Sequence, residues 1–198
     1  MGIRETKKAA RRTTIISVGW DLFITEGYDR CSVEKIIAAA GIARGTFYLY
    51  FPSKKKLFDA LLEELYSPFI DVLYAAKNDI FQYDESYTIR YLQAAMSLAD
   101  MLEQKRELLI LHFREAYSAG PAGESVRKWR AKIEAIIVDI LQTAMDRNLI
   151  REFNPSLAAM SMFGAAERMT WAWLQKDTQI KRKDIAQMVA DVFWQGLK

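Results

Sequence analysis

Residues 41–58, GIARGTFYLYFPSKKKLF, bring two glycines, several aromatic side chains and three consecutive lysines into eighteen positions. A buried helix does not tolerate so many charges, and a solvated loop gains nothing from Phe47, Tyr48, Tyr50 and Phe51. Guanidinium, ammonium and hydroxyl groups beside an accessible backbone are the groups that bind phosphates and base edges in DNA. The stretch therefore predicts a short helix presented to DNA, with its apolar side anchored in a small core.

Two further helices are predicted to support this one. In residues 7–26, apolar positions recur at the spacing of one helical face: Ile15, Val18, Gly19, Leu22 and Phe23. Gly27 can adopt the left-handed conformation that ends such a helix. Ser32 is a suitable N-cap for a second helix over residues 33–40, which Gly41 ends in the same way.

The third helix is predicted from about residue 43 to residue 50. Pro52 pushes the residue before it out of the helical region, and Ser53 then caps a long fourth helix through about Lys77. Residues 32–50 are thus predicted to form helix, glycine turn and helix, with a supporting helix before them. This is the helix-turn-helix arrangement, in which the second helix of the pair can enter the major groove.

The remainder of the chain is also predicted to be helical. Periodic segments lie near residues 86–103, 105–118, 124–147, 155–175 and 182–197, with loops at 118–125 and at Asn154 and Pro155. The expectation is an all-α fold of about nine helices. Residues 1–53 would form the DNA-binding domain, and residues 54–198 a larger helical domain.

Composition excludes several functional classes. With one cysteine, Cys31, and one histidine, His112, the 198 residues offer no disulfide framework and no Cys-cluster or His-rich metal site. Neither a metal nor a cofactor is expected, and an enzyme is disfavoured because a nucleophile–base pair has few candidates. No apolar run approaches 18 residues and the basic N-terminus lacks an apolar core, so we expect no membrane span and a cytoplasmic location.

Charge is unevenly distributed along the chain. Residues 1–60 carry a net charge of +5, whereas residues 61–198 carry −2. A basic end on a nearly neutral body favours contact between that end and a polyanion.

Two overlapping segments of the sequence resemble the TetR (tetracycline-repressor) family of bacterial transcription regulators. They are SVEKIIAAAGIARGTFYLYFPSKKKLF, residues 32–58, and the approach to it, ISVGWDLFITEGYDRCSV, residues 16–33. The resemblance covers about 50 residues. The chain departs from a fixed pattern at Glu34 and Lys35, where family members vary.

The resemblance implies a set of DNA-contacting residues: Ser32, Arg44, Gly45, Thr46, Tyr48, Tyr50 and Lys54. Arg44 would read guanine or grip a phosphate, and the sequence leaves both open. Gly45 would let the backbone approach a base, although a tolerated glycine is the alternative. Tyr48 would bind a phosphate through its phenol, with simple packing as its alternative.

The helical body is similar to the family's domain for ligand binding and dimerisation. Aromatic, methionine and histidine side chains are candidates for a pocket that takes a small hydrophobic effector: His112, Phe113, Tyr117, Trp129, Met162, Phe163, Met169 and Trp171. An ordinary helical core explains the same residues. The last two helices are expected to form a homodimer that binds a near-palindromic duplex operator and releases it when the effector binds.

Three other functions remain open from the sequence. A TetR-like activator uses the same elements. A helical adaptor that binds protein partners through its C-terminal helices would bind no duplex even at low salt, where phosphate-driven binding is strongest. An all-helical enzyme would turn over a small molecule.

Overall fold

The computed structural model describes residues 3–79 and 103–175, and the single residues 100, 181, 184, 185, 187, 188 and 191. Regular structure in these residues is helical throughout. In chain order the helices are α1 (Ile3–Glu26), α2 (Val33–Ala40), α3 (Arg44–Tyr50), α4 (Lys54–Asp79), α5 (Arg106–Glu115), α6 (Pro121–Asp146) and α7 (Pro155–Leu174).

The all-α prediction is confirmed, but the described residues hold seven helices rather than about nine. The two predicted helices that are missing from this count cover residues 86–103 and 182–197. Of residues 86–103 the structure describes only 100 and 103, and of residues 182–197 only 184, 185, 187, 188 and 191.

The predicted loop over residues 118–125 is too long, because α6 already begins at Pro121. Proline suits the first position of a helix, where its missing N–H has no intrahelical partner. Gly123 fits in that first turn for lack of a side chain: a Cβ there would stand 1.9 Å from the Ser118 carbonyl oxygen.

The ends of α2 are fixed by the two residues that the sequence indicated. The Ser32 hydroxyl accepts a hydrogen bond from the Lys35 N–H at 3.2 Å. At the other end Gly41 adopts φ 60° and ψ 41°, and the N–H of Ile42 returns to the carbonyl of Ile37. Gly27, with φ 89°, ends α1 in the same left-handed conformation.

The chain forms two compact units, and the three boundaries between them along the chain fall inside α4, α5 and α6. Unit 1 comprises Met1–Leu65 and Glu107–Arg127, and unit 2 comprises Tyr66–Arg106 and Lys128–Lys198. The predicted division of function between residues 1–53 and 54–198 is a separate matter and stays a prediction.

Unit 1 has an apolar core built from α1, α2, α3 and the first half of α4. Ile15, Ile36 and Phe47 are fully buried in it. Phe23, Tyr28 and Phe58 form an aromatic cluster with ring centroids 5.0 to 5.6 Å apart. α2 and α3 are short, and this core gives them the packing that helices of eight and seven residues need.

Candidate nucleic-acid interface

α3 has one buried and one exposed face. Phe47 is fully buried, which confirms the predicted anchor. The centroid of its ring lies 6.2 Å from that of the Phe51 ring. Leu49 is 75% exposed and Tyr48 41%. A seven-residue helix that exposes a leucine and a tyrosine has an outer face available to a partner.

Arg44 lies on this outer face at the start of α3. Its Nη1 atom is 3.2 Å from Oε1 of Glu34 in the first turn of α2. Its guanidinium carbon is 5.7 Å from the centroid of the Tyr48 ring. The two predicted contact residues Arg44 and Tyr48 are therefore neighbours, and Glu34 is a third member of the group that the sequence analysis did not assign.

Gly45 is exposed, and a Cβ at this position would meet no atom within 4 Å in the described part of the chain. Internal packing therefore does not require glycine here, although glycine within a helix costs about 1 kcal/mol relative to alanine. Thr46 is half-buried, and its N–H closes the first turn of α3 on the carbonyl of Ala43 at 2.9 Å.

Lys54 points into the protein. Its ammonium donates to the carbonyls of Tyr28 and Cys31 at 2.7 and 2.8 Å and lies 4.2 Å from the centroid of the Tyr28 ring. These contacts anchor the loop between α1 and α2 to the start of α4. The predicted phosphate contact of Lys54 stays a prediction, and the structure adds this internal role.

The other predicted contact residues lie at the edges of the helix pair. Ser32 is half-buried at the N-cap of α2, and Tyr50 is half-buried in the last turn of α3. Nearby, Arg12 of α1 is exposed with its guanidinium carbon 5.4 Å from the Phe51 ring, so basic α1 contributes charge beside α3.

Burial dominates the acid–base behaviour of the loop between α1 and α2. It raises the pKa of Tyr28 to about 12, with Asp59, Asp29 and Glu115 adding to the effect. Burial also raises the pKa of the Cys31 thiol, while Lys54 lowers it. Since the thiol is fully buried and kept protonated, its chemistry is that of a core side chain.

Two residues of α5 form hydrogen bonds with the C-terminal end of α1 and with the loop that follows it. Arg114 donates to the carbonyls of Phe23 and of Ile24, the latter at 3.2 Å, at the C-terminal end of α1. Glu115 is buried and accepts from the Tyr28 N–H at 3.5 Å. Sequence reasoning missed this contact because residues about 90 positions apart carry no local pattern that links them.

The eight predicted effector-binding residues fall in different units. His112, Phe113 and Tyr117 belong to unit 1, where His112 is buried and Tyr117 is 83% exposed. Unit 2 holds the other five: Trp129, Met162, Phe163, Met169 and Trp171. Their role in effector binding stays a prediction.

Unit 2 contains a largely buried ion pair beside these residues. Arg130 of α6 contacts Glu167 of α7 at 2.5 Å, and its guanidinium carbon lies 5.8 Å from the Phe163 ring. Tyr66 is stacked on Trp129 with ring centroids 5.2 Å apart. Burial, followed by the charge of Glu167, raises the pKa of Tyr66, so its phenol stays protonated.

A surface pocket of about 370 Å³ lies where α6 ends. Its lining consists of Met145, Asn148, Leu149, Ile150, Arg151 and Glu152. The predicted effector-binding residues are absent from this lining.

Two further predictions concern absences. Among the residues that the structure describes, no His, Cys, Asp and Glu side chains group as a metal site would require. Within the same residues, no helix is both long and apolar enough to span a membrane.

Comparison with known families decides what this arrangement is. The N-terminal domain of bacterial regulatory proteins of the tetR family matches residues 15–61. The tetracyclin repressor-like C-terminal domain matches residues 91–197, more than half of the chain. The chain belongs to the TetR family. It is a transcriptional regulator with a DNA-binding helix-turn-helix, which confirms the resemblance at residues 32–58.

Among TetR-type relatives, the uncharacterised HTH-type transcriptional regulator YvdT of Bacillus subtilis (strain 168) is 27% identical over 115 residues. The match covers 58% of this chain and 55% of YvdT. The chain thus spans about half the length of that relative.

Solved TetR-type structures share the fold over nearly the whole chain. The SmeT–triclosan complex gives a TM-score of 0.79 at 20% identity and covers 96% of this chain and 92% of SmeT. The FadR regulator from Bacillus subtilis in complex with stearoyl-CoA gives 0.72 at 22% identity, with coverage of 94% and 99%. At these identities the likeness concerns the fold.

Proposed function

We propose that this TetR-family protein is a homodimeric repressor that binds a near-palindromic operator and releases it when a small hydrophobic molecule binds the helical body. DNA binding is assigned to residues 1–53, and effector binding and dimerisation to residues 54–198. Because its target is the chromosome, the protein would act in the cytoplasm.

The exposed face of α3 is the observation that carries the proposal. Arg44, Gly45 and Tyr48 lie on it together, while Phe47 on the opposite face is fixed in the core. In a helix-turn-helix, the N-terminal residues of the second helix contact base edges in the major groove. Arg44 and Gly45 are the first two residues of that helix.

An exposed stripe on α7 supports the homodimer. Leu157 and Met160 are each 60% exposed, and Ser161, Gly164 and Arg168 continue the exposed stripe at helical spacing. A Cβ on Gly164 would meet nothing within 4 Å in the described residues, so a partner helix could approach closely there. The second predicted dimer helix, over residues 182–197, lies mostly outside the described residues.

The side chains of unit 2 support a hydrophobic effector. Trp129, Met162, Phe163, Met169 and Trp171 provide large, adaptable apolar surface, and all five belong to one compact unit. SmeT has been solved with triclosan, which is hydrophobic, and FadR with stearoyl-CoA, which carries a long apolar acyl chain on a charged coenzyme A. We extend that class of ligand to this protein as part of the proposal.

Release of the operator requires that the effector bind the DNA-free conformation more tightly than the DNA-bound one. Two recognition helices must stand about 34–36 Å apart to contact successive major grooves. An effector that favours a different spacing would therefore lower operator affinity without touching α3.

Enrichment from a randomised duplex library tests the proposal. We expect the protein to select a near-palindromic sequence with half-sites about one helical turn apart, and triclosan or an acyl-CoA to lower its affinity for that duplex. Binding of no duplex even at low salt would contradict DNA regulation and favour the helical adaptor. Activation instead of repression would appear as increased transcription from a promoter that carries the selected site.

A further inference from the structure

Glu34 and Arg44 form an ion pair on the exposed side of the helix-turn-helix. Nη1 of Arg44 is 3.2 Å from Oε1 of Glu34, and the two side chains are 68% and 63% exposed. Exposed ion pairs add little to folding stability, because water screens them and holding two long side chains in place costs entropy. The carboxylate at this position therefore contributes little to the stability of the fold.

The pair restricts where the Arg44 guanidinium can point. The carboxylate binds one of its nitrogens, and the Tyr48 ring lies 5.7 Å from its central carbon. A guanidinium carries five N–H donors in a rigid plane, so one bound nitrogen leaves others for a second partner. Guanine offers two acceptors, O6 and N7, at the spacing that arginine can bind with two parallel hydrogen bonds.

The charge of Glu34 also opposes indiscriminate binding. DNA phosphates attract Arg44 and repel a carboxylate, so a phosphate must compete with Glu34 for the guanidinium. A base edge in the groove carries no net charge and can use the donors that Glu34 leaves available. The same carboxylate thus disfavours a phosphate contact more than a guanine contact.

We infer that Glu34 is a positioning residue that sets specificity: it holds Arg44 for guanine and away from the phosphate backbone. This inference rests on the proposed binding of an operator by α3. It decides between the two roles that the sequence left open for Arg44.

The test begins with the duplex that the wild-type protein enriches from a randomised library. Affinities of wild type and Glu34→Gln are measured for that duplex, for an unrelated duplex, and for versions with 7-deazaguanine at each selected guanine. Removing N7 at one guanine should weaken wild-type binding about tenfold, as expected for loss of a base contact. Glu34→Gln should lose most of that sensitivity and bind the unrelated duplex more tightly. The affinity of Glu34→Gln should also fall more steeply with salt concentration than that of the wild type, by the amount expected for about one additional phosphate contact.

Two variants separate this role from a general charge effect. Asp21→Asn makes the same change in net charge at an exposed position of α1 and should leave the 7-deazaguanine sensitivity unchanged. In an Arg44→Ala background, Glu34→Gln should no longer alter discrimination. Unchanged discrimination in Glu34→Gln, or an equal change in Asp21→Asn, would overturn the inference while operator binding stands. Failure of the wild type to enrich any sequence would overturn the proposed function itself.

Discussion

At the residue scale, Gly45 is where helix stability and the proposed DNA recognition favour different residues. Helix stability favours a larger residue, and the described structure has open space for one. A groove-facing backbone favours glycine, because any Cβ would stand between the helix and the bases. Substituting this one residue separates the two effects.

Gly45→Ala should raise the free energy of unfolding by about 0.5–1 kcal/mol. It should also lower affinity for the selected duplex about tenfold, as expected when one base contact is lost. Urea unfolding and a fluorescence-anisotropy titration measure the two quantities. A more stable variant with unchanged affinity would show that Gly45 has no part in recognition.

Tyr28 predicts a stability loss at alkaline pH. Its pKa is about 12 in the folded protein and 10.0 ordinarily, so the folded state holds the proton more tightly. The resulting stabilisation is complete below pH 10 and is lost as the pH rises towards 12. The loss should reach about 2 kcal/mol.

Tyr28→Phe isolates this group from the other side chains that titrate at high pH, because it keeps the aromatic cluster with Phe23 and Phe58. Urea unfolding from pH 9 to pH 12 should show a shallower decline for the variant than for the wild type. Parallel pH curves would mean that Tyr28 does not hold its proton as the structure indicates.

At the scale of elements, Lys54 connects the loop between α1 and α2 to the start of α4. Its ammonium supplies the hydrogen bonds that the carbonyls of Tyr28 and Cys31 receive at 2.7 and 2.8 Å. Lys54→Met should therefore lower the free energy of unfolding by about 1–3 kcal/mol, since it leaves acceptors without their donor. Lys56→Met, whose side chain is 65% exposed, is the matched control and should change stability by less than about 0.5 kcal/mol. Equal stability of the two variants would contradict the anchoring role of Lys54.

Most helix boundaries could be predicted from local signals. Ser32 and Gly41 mark the ends of α2, and Pro52 with Ser53 separates α3 from α4, because capping and steric limits act between near neighbours. Pro121 is the exception, because proline is common both in loops that interrupt helices and at the first position of a helix.

Contacts between distant residues could not be predicted in this way. Arg114 with α1, Arg130 with Glu167, and the inward orientation of Lys54 all depend on how helices pack. In the sequence, Glu34 could be identified only as a position where family members vary. The proposed DNA-contacting residues came from the family resemblance at residues 32–58, and three of them, Arg44, Gly45 and Tyr48, lie on the exposed face of α3. The effector candidates came from side-chain type and fell in two units.

At the scale of the whole molecule, the exposed stripe on α7 predicts the oligomeric state. Met160 is 60% exposed, so Met160→Lys should leave the fold of the single chain intact while placing two like charges across a symmetric interface. Native mass spectrometry should give about 45.6 kDa for the wild type, twice the 22.8 kDa of one chain, and mainly the single-chain mass for the variant. Tyr117→Lys, at an 83% exposed position outside α7, should remain dimeric. A wild-type monomer would remove the basis for two coordinated half-sites.

The central claim is that the outer face of α3 reads the operator, and one titration tests it most directly. Wild type, Arg44→Ala and Tyr48→Phe are compared on the selected duplex, with circular dichroism to verify that all three are folded. We predict that Arg44→Ala weakens binding by about 1–3 kcal/mol, a 5- to 150-fold increase in Kd, and that Tyr48→Phe weakens it less. Wild-type affinity in both folded variants would contradict the assignment of DNA recognition to this face.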